Sequence, residues 1–365
     1  MASKNFNVGV VGYGLAAKVF HIPFILRTPG FSLYSIVQRS PKAGDSAPAD
    51  YPDLAHYRDF KDLLADKKVD IVVVTAPPNH HFHMTKAALE AGKHVLTEKP
   101  FVPTAKEADE LDAVAQKAQR LLCVYQNRRW DSDFLILKHL ISTDTLGRIL
   151  EFNTHFDRYV TTASGGWRKD LAISDGGSVL YDLGPHLIDQ AYTLFGLPHS
   201  VSGRLISQRN GELLDLLAPD CIYAQLMYRN GLVVHIRASS LSAEIAQTRY
   251  WIRGSKGSLH KRNVDPQEDQ LKAGMTSGDP GFGAENPDDF DLVVATAGDQ
   301  GKLEKVSIPD LVPETYQAIY TRFAEAVKSG RQSEVPVQPR EAADVLRIIE
   351  AVQESAKTGK DVVLV

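Results

Sequence analysis

The first 125 or so residues alternate short apolar runs with stretches of helical periodicity. Phe6–Val11, Ser32–Val37, Ile71–Thr75, His94–Thr97 and Leu121–Tyr125 are rich in apolar and β-branched residues and read as strands. Ile71-Val72-Val73-Val74 is apolar without a break, as a strand buried on both faces of a parallel sheet would be. Helical patterns fill the gaps. One starts near Ala16, and Pro23 within it should kink it or start it afresh. A second is capped by Asn79 after Pro77-Pro78 and ends near Gly92. A third opens at Thr104-Ala105-Lys106-Glu107, a capping box, and runs to about Gln119. This alternation predicts an α/β fold built on a doubly wound parallel sheet.

Beyond Tyr125 the rhythm changes. A helix near Ser132–Ile141 leads into a long alternating strand, Ile149–Tyr159, and a single helix is predicted over Ser178–Phe195. Ser200–Ser207, Cys221–Tyr228, Leu232–Ser240 and Thr248–Gly254 follow as neighbouring strands of an antiparallel or mixed sheet. Gln267–Asp289, rich in Gly, Pro and Asp, reads as a loop, and helices close the chain near Tyr316–Lys328 and Arg340–Lys357. Tyr316, Tyr320 and Phe323 fit the core face of the first of these. The change of rhythm places a domain boundary near residue 124, giving domains 1–124 and 125–365.

Composition narrows the partners. At 365 residues the chain is long enough for two cores. A net charge of −4 offers no basic field for a polyanion, so nucleic acid is not an expected partner. No apolar run approaches the ~20 residues of a membrane helix, and Met1–Val11 lacks a signal-peptide core. The only cysteines, Cys123 and Cys221, are far apart in sequence and form no metal or redox motif. Cys123 fits a small buried hydrophobe. A reduced, cytoplasmic setting is expected.

Three motifs carry chemistry. Gly12-Tyr13-Gly14-Leu15-Ala16-Ala17 follows a strand and opens a helix, the context of a dinucleotide fingerprint. Gly12 permits the tight turn, Gly14 lets a pyrophosphate approach the backbone, and Ala17 lets helix and strand pack closely. The second strand ends in Val37-Gln38-Arg39-Ser40, without the carboxylate that would accept from a ribose diol. Arg39 and Ser40 suit a 2′-phosphate instead, so NADP(H) is the expected cofactor. Glu98-Lys99-Pro100 directly follows a strand, where a lysine can donate to a carbonyl or stabilise an alkoxide. Pro100 fixes the turn and suits a cis peptide. Finally, Gly176-Gly177 leads to Asp182 and His186, which at i, i+4 share a helix face with Asp189 nearby. A carboxylate beside an imidazole suits a general base. No third ligand of matching spacing follows, and His80, His81 and His83 do not bring three nitrogens to one point, so no metal is expected.

Together these segments resemble the glucose–fructose oxidoreductase/inositol dehydrogenase family. The resemblance rests on Gly12-Tyr13-Gly14, Pro78-Asn79 through Val95, Glu98-Lys99-Pro100, Gly176-Gly177 to Asp189, Trp251–Ser258 and Pro336-Val337, and so spans the chain. Tyr125–Phe134 looks like the branch holding NADP-dependent scyllo-inositol dehydrogenases. The resemblance implies an N-terminal Rossmann domain and a C-terminal α/β domain whose open, mostly antiparallel sheet makes a homodimer, or a homotetramer of such dimers. It also implies that Lys99, Asp182 and His186 are catalytic. Gly12, Tyr13, Gly14, Leu15, Ala16, Arg39, Ser40, Thr75, Pro77, Asn79, His81, Glu98, Lys99, Asn127 and Arg128 become candidate cofactor contacts. Arg158, Tyr159 and Trp167, with Lys99, Asp182 and His186, become candidate substrate contacts. The expected reaction moves a hydride between NADP(H) and a secondary hydroxyl or ketone of a cyclitol or sugar. Alternatives are a catalytically silent ligand-sensing regulator of the same fold, or a glycosidase that keeps NAD for a transient oxidation. Arg39-Ser40 speaks against the latter.

Overall fold

The computed structural model describes residues 5–162, 165, 170–296 and 301–365. The chain forms two compact units: Met1–Asn127 with Asp269–Pro280 and Thr315–Ala343, and Arg128–Glu268 with Gly281–Glu314 and Asp344–Val365. The expected division into 1–124 and 125–365 therefore differs from the observed one, because two later segments pack with the first unit. Aromatic packing explains one of them. In the helix Gln317–Ser329, Tyr320 stacks on Phe24 at 6.2 Å and Phe323 meets Phe31 edge-on at 6.2 Å.

The first unit carries six strands: β1 (Phe6–Val11), β2 (Phe31–Val37), β3 (Ala55–Tyr57), β4 (Ile71–Val74), β5 (His94–Glu98) and β6 (Leu122–Tyr125). All pair in parallel, in the order β3-β2-β1-β4-β5-β6. The chain leaves β1 toward β2 on one side and returns to β4 on the other. The C-terminal ends of β1 and β4 thus flank the switch point where such sheets take ligands. The continuous apolar run in β4 is buried throughout, as its lack of alternation requires. Thr104 and Glu107 form the expected capping box of the helix Ala105–Ala118. Pro23 does start a helix afresh: Ala16–His21 is wound as a π-helix, and Ile22–Arg27 follows with proline in its first turn.

The second unit is built on nine strands: β7 (Ile149–His155), β8 (Ser200–Ile206), β9 (Cys221–Met227), β10 (Val233–Ser239), β11 (Thr248–Gly254), β12 (Gly257–Arg262), β13 (Phe290–Ala295), β14 (Leu303–Val306) and β15 (Val362–Val363). Their order is β14-β13-β12-β11-β7-β10-β9-β8-β15. Within this sheet, among the described residues, only β7 and β10 pair in parallel. One face is apolar and buried, through Phe152, Ile222, Leu226, Val234, Ile236, Tyr250 and Ile252. The segment read as a loop, Gln267–Asp289, in fact holds the helix Gln267–Lys272 and a turn at Pro287–Asp289. Asp265 Oδ1 accepts from Gln267 N at 2.9 Å at the start of that helix, a local capping bond that glycine and proline content conceals. The helix expected over Ser178–Phe195 is two, Ser178–Asp182 and Gly184–Phe195. Pro185 has no N–H to offer the Tyr181 carbonyl, so the ladder breaks there.

Candidate active site

The fingerprint turn sits at the end of β1. Gly12 has φ +103°, and a Cβ there would lie 2.7 Å from Thr75 Oγ1 at the end of β4, so any side chain is excluded twice over. Thr75 Oγ1 itself donates to the Val11 carbonyl at 2.8 Å and ties the two strand ends together. Gly14 is different: a Cβ built on it meets nothing within 4 Å, so the backbone there faces open space. Leu15 is exposed, while Ala17 is wholly buried against the sheet. Exposed backbone at a helix start, next to the switch point, fits a dinucleotide pyrophosphate.

Arg39 and Ser40 are exposed just beyond β2. The acidic side chains of the neighbouring segment are already engaged. Asp45 pairs with Lys18 at 2.7 Å, and Asp50 accepts from the Tyr13 hydroxyl at 2.6 Å. Gln38 faces inward, accepting from Ala47 N at 2.7 Å and donating to the Asp45 carbonyl at 2.9 Å. Pro77 and Asn79 are exposed beyond β4.

Behind Lys99 lies a buried clamp that the motif alone does not reveal. Glu98 Oε2 accepts from Lys99 N at 2.8 Å, and Glu98 Oε1 lies 2.8 Å from His21 Nε2. His21 Nδ1 in turn lies 2.5 Å from the Tyr320 hydroxyl. Burial pushes the Glu98 carboxyl up, but His21 and Lys99 outweigh it and hold the group below its ordinary pKa. The Lys99–Pro100 peptide is cis. His81, expected at the cofactor, is enclosed instead at 1% exposure. Its Nδ1 lies 2.8 Å from the Pro100 carbonyl and its Nε2 2.7 Å from the Ala76 carbonyl. It splints the loops after β4 and β5, and burial lowers its pKa despite both carbonyls.

In the second unit Phe156, which sequence reasoning missed, gathers several candidates. The guanidinium carbons of Arg128 and Arg158 lie 4.7 and 4.8 Å from its ring centre, and the His186 ring stacks at 6.4 Å and 28°. The only sequence signal was its place two residues before Arg158. Arg128 is buried in ion pairs with Asp131, at 3.2 Å, and Glu268. That places its charge in internal pairing, whereas a cofactor contact was expected. Tyr159 is largely exposed, and Asn127 is buried in the turn Asn127–Trp130. Trp167 lies outside the described residues.

Asp182 and His186 are both buried, on either side of the helix break at Leu183. Gly177 explains the approach: a Cβ there would lie 2.0 Å from the Leu171 carbonyl oxygen, so the chain passes too close for any other residue. The helix carrying His186 is then pinned from behind. Asp189 takes a two-pronged bond from Arg129 at 2.8 and 2.7 Å. Gln190 donates to the Arg128 carbonyl at 2.7 Å and accepts from Arg249 and Tyr250, while Tyr192 donates to Asp344.

A parallel sheet with a glycine cradle at its switch point, in a chain with a second mixed-sheet unit, defines a two-domain nicotinamide-dependent oxidoreductase. Residues 6–126 match the NAD-binding Rossmann fold of the Gfo/Idh/MocA oxidoreductase family, and residues 138–364 match its C-terminal alpha/beta domain. The chain belongs to that family. It is 38% identical to the uncharacterized oxidoreductase YdgJ of Escherichia coli, over 97% of both chains. It is 34% identical to the scyllo-inositol 2-dehydrogenase (NADP(+)) IolW of Bacillus subtilis, over 98% of this chain and 96% of that one. Among solved structures, an oxidoreductase from Bacillus cereus superposes with a TM-score of 0.85 at 25% identity, over 99% of both chains.

Proposed function

We propose that this protein is an NADP(H)-dependent dehydrogenase or reductase acting on a secondary hydroxyl, or the matching ketone, of a cyclitol or sugar. The observation that carries the cofactor choice is the end of β2. Arg39 and Ser40 stand exposed there with no carboxylate between them, and the nearby Asp45 and Asp50 are held by Lys18 and Tyr13. A ribose diol finds no unengaged carboxylate in that set, whereas a 2′-phosphate finds a guanidinium and a hydroxyl. The likeness to the NADP-dependent inositol dehydrogenase supports both cofactor and substrate class.

The nicotinamide ring, when bound, accepts or supplies the hydride. Gly12 and Gly14 hold the pyrophosphate, and Arg39 and Ser40 hold the 2′-phosphate. His186 takes the hydroxyl proton in oxidation and returns it in reduction. Lys99 supplies a positive charge for a developing alkoxide, and Asp182 orients the imidazole. The helix anchors at Asp189, Gln190 and Tyr192 make His186 a fixed group, as a general base requires. Cys123 and Cys221 are buried and form no disulfide with each other, which fits a reducing cytoplasm, and a homodimer or homotetramer is the proposed assembly.

The test is an initial-rate screen of polyols and sugars with NADP⁺ and with NAD⁺, and of the corresponding ketones with the reduced cofactors. Turnover with NADP(H) at a much lower KM than with NAD(H) is expected. Arg39→Ala should raise the NADP KM at least about tenfold, the loss of one charge-assisted contact, and barely change the NAD KM. Equal KM values for the two cofactors in the unmodified protein would overturn the choice. No turnover across the panel would favour a ligand-sensing protein.

A further inference from the structure

Three carboxylates meet in the interior of the second unit, on side chains to which no role in the proposed reaction has been given. Asp133 comes from the first turn of the helix Ser132–Ser142, Asp265 from the loop after β12, and Glu285 from the loop before β13. One oxygen from each lies within 4.8 Å of the others. Asp133 and Asp265 are 0% and 1% exposed.

Their charge is incompletely met. Lys261 Nζ lies 2.8 Å from Glu285 Oε2, and Arg249 Nε lies 3.5 Å from Asp133 Oδ2 while its Nη2 lies 3.9 Å from Asp131. Asp265 has no ion pair among the described residues. It accepts only N–H groups, from Ser132 N at 2.6 Å, from Gln267 N at 2.9 Å and from Gln267 Nε2 at 3.2 Å. Three carboxylates thus face two cations, both of them shared, Arg249 with Asp131 and Lys261 with Asp289 at 3.8 Å. The second observation is Asp133 itself: neither of its oxygens receives a hydrogen bond among the described residues, and Glu285 Oε1 also lacks one. A buried carboxylate with both oxygens unsatisfied is costly unless something else supplies positive charge. There is also a route inward. Ser132 and Glu285 line a cleft of about 790 Å³ whose wall includes the segment Ser307–Pro313.

We propose that Asp133, Asp265 and Glu285 hold a hard divalent cation, of the Mg²⁺, Mn²⁺ or Ca²⁺ class. The donor set is all oxygen, which excludes softer ions as the preferred occupant. The unsatisfied oxygens of Asp133 and Glu285 supply two ligands and Asp265 a third, while water from the cleft completes the shell. The position is structural: one ion joins the start of a helix to two loops flanking β12 and β13. The competing occupant is the proton, since burial and the neighbouring Asp133 already push Glu285 up to about 8.

The test uses the full chain, stripped with EDTA and dialysed. Thermal melts at pH 7.5 are followed with Mg²⁺, Mn²⁺ or Ca²⁺ at 1 mM, and bound metal is counted by mass spectrometry after gel filtration. At least one of these ions should raise Tm by about 2 °C or more and bind near one per chain. Asp133→Asn and Glu285→Gln should each abolish both effects. Far-ultraviolet circular dichroism and the NADP(H) fluorescence titration report whether each variant is folded. If a variant does not fold, the wild-type stoichiometry and melt decide alone. No shift and less than 0.1 ion per chain in the wild type would overturn the proposal in favour of bound protons. An ion response retained in a folded Asp133→Asn chain would overturn it in favour of a different site.

Discussion

His186 lies in the first turn of a helix whose other residues are tied to the protein interior, and its ring stacks on Phe156. If it is the general base, His186→Ala should lower kcat by about 10²–10⁴ and leave NADP(H) affinity nearly unchanged. Loss of the ring-on-ring contact also predicts a lower Tm, so both quantities must be measured on one preparation. A destabilised variant with full kcat would remove His186 from the mechanism. Other histidines predict a different pH effect. Leu121 N donates to His94 Nδ1 at 3.0 Å, and burial, then Arg120, lowers that ring's pKa to about 4. Burial, then Arg237 and Arg249, does the same for His155. Both rings are neutral in the folded chain at a pH where the unfolded chain, with a pKa of about 6.5, takes up protons. Their stability contribution is therefore whole above about pH 6.5 and is lost progressively toward pH 4. Melts from pH 7.5 to 4.5 should show Tm falling, and His94→Asn, which keeps an acceptor for Leu121 N, should flatten the fall. Parallel curves for the two proteins would contradict this.

At the scale of elements, the strands of both sheets were legible because their burial follows simple periods. β4 is buried without interruption, and β7, β9 and β10 alternate. The capping box at Thr104 was legible because it is a local bond pattern. It predicts that Thr104→Ala costs about 1 kcal/mol, seen as a Tm loss of about 2–4 °C with kcat unchanged. A variant as stable as the parent would show that the cap contributes nothing. The missed elements have a common cause. β3, β13 and β14 are short or half-exposed, so neither period nor propensity marks them. The same holds at the site. Gly12, Gly14 and Arg39 follow from one continuous segment. By contrast, the clamp of Glu98 by His21 and Tyr320, and the gathering of Arg128, Arg158 and His186 on Phe156, join residues that only the fold brings together. His81 shows the opposite failure. It was read as a candidate cofactor contact, but its ring serves two backbone carbonyls.

At the scale of the whole molecule, the nine-stranded sheet has one face packed and one half-exposed, and the latter bears on assembly. The family resemblance led to the expectation of a dimer through this sheet, and an apolar face would be the simplest reason for one. The face observed is mostly polar, with Glu151, Asn153, His155, Gln225, His235, Arg237 and Arg253, and Trp251 and Met227 among them. Arg253 pairs with Glu151 across β11 and β7 at 2.5 and 3.0 Å, and His235 lies 3.7 Å from the same carboxylate. An interface made from such a surface depends on charge complementarity more than on apolar area, and exposed charge interactions weaken with salt. The dimer proposed for this chain should therefore be salt-sensitive. Light scattering at 0.15 M NaCl should give about twice 40.2 kDa at micromolar concentration, and 1 M NaCl should shift the equilibrium toward the monomer. Arg253→Glu, which sets two carboxylates side by side, should shift it at 0.15 M. A monomer mass under all conditions would rule out the dimer. A dimer indifferent to both salt and Arg253→Glu would place the contact on another surface, and the exposed leucines at Leu213 and Leu217 would be the next to substitute.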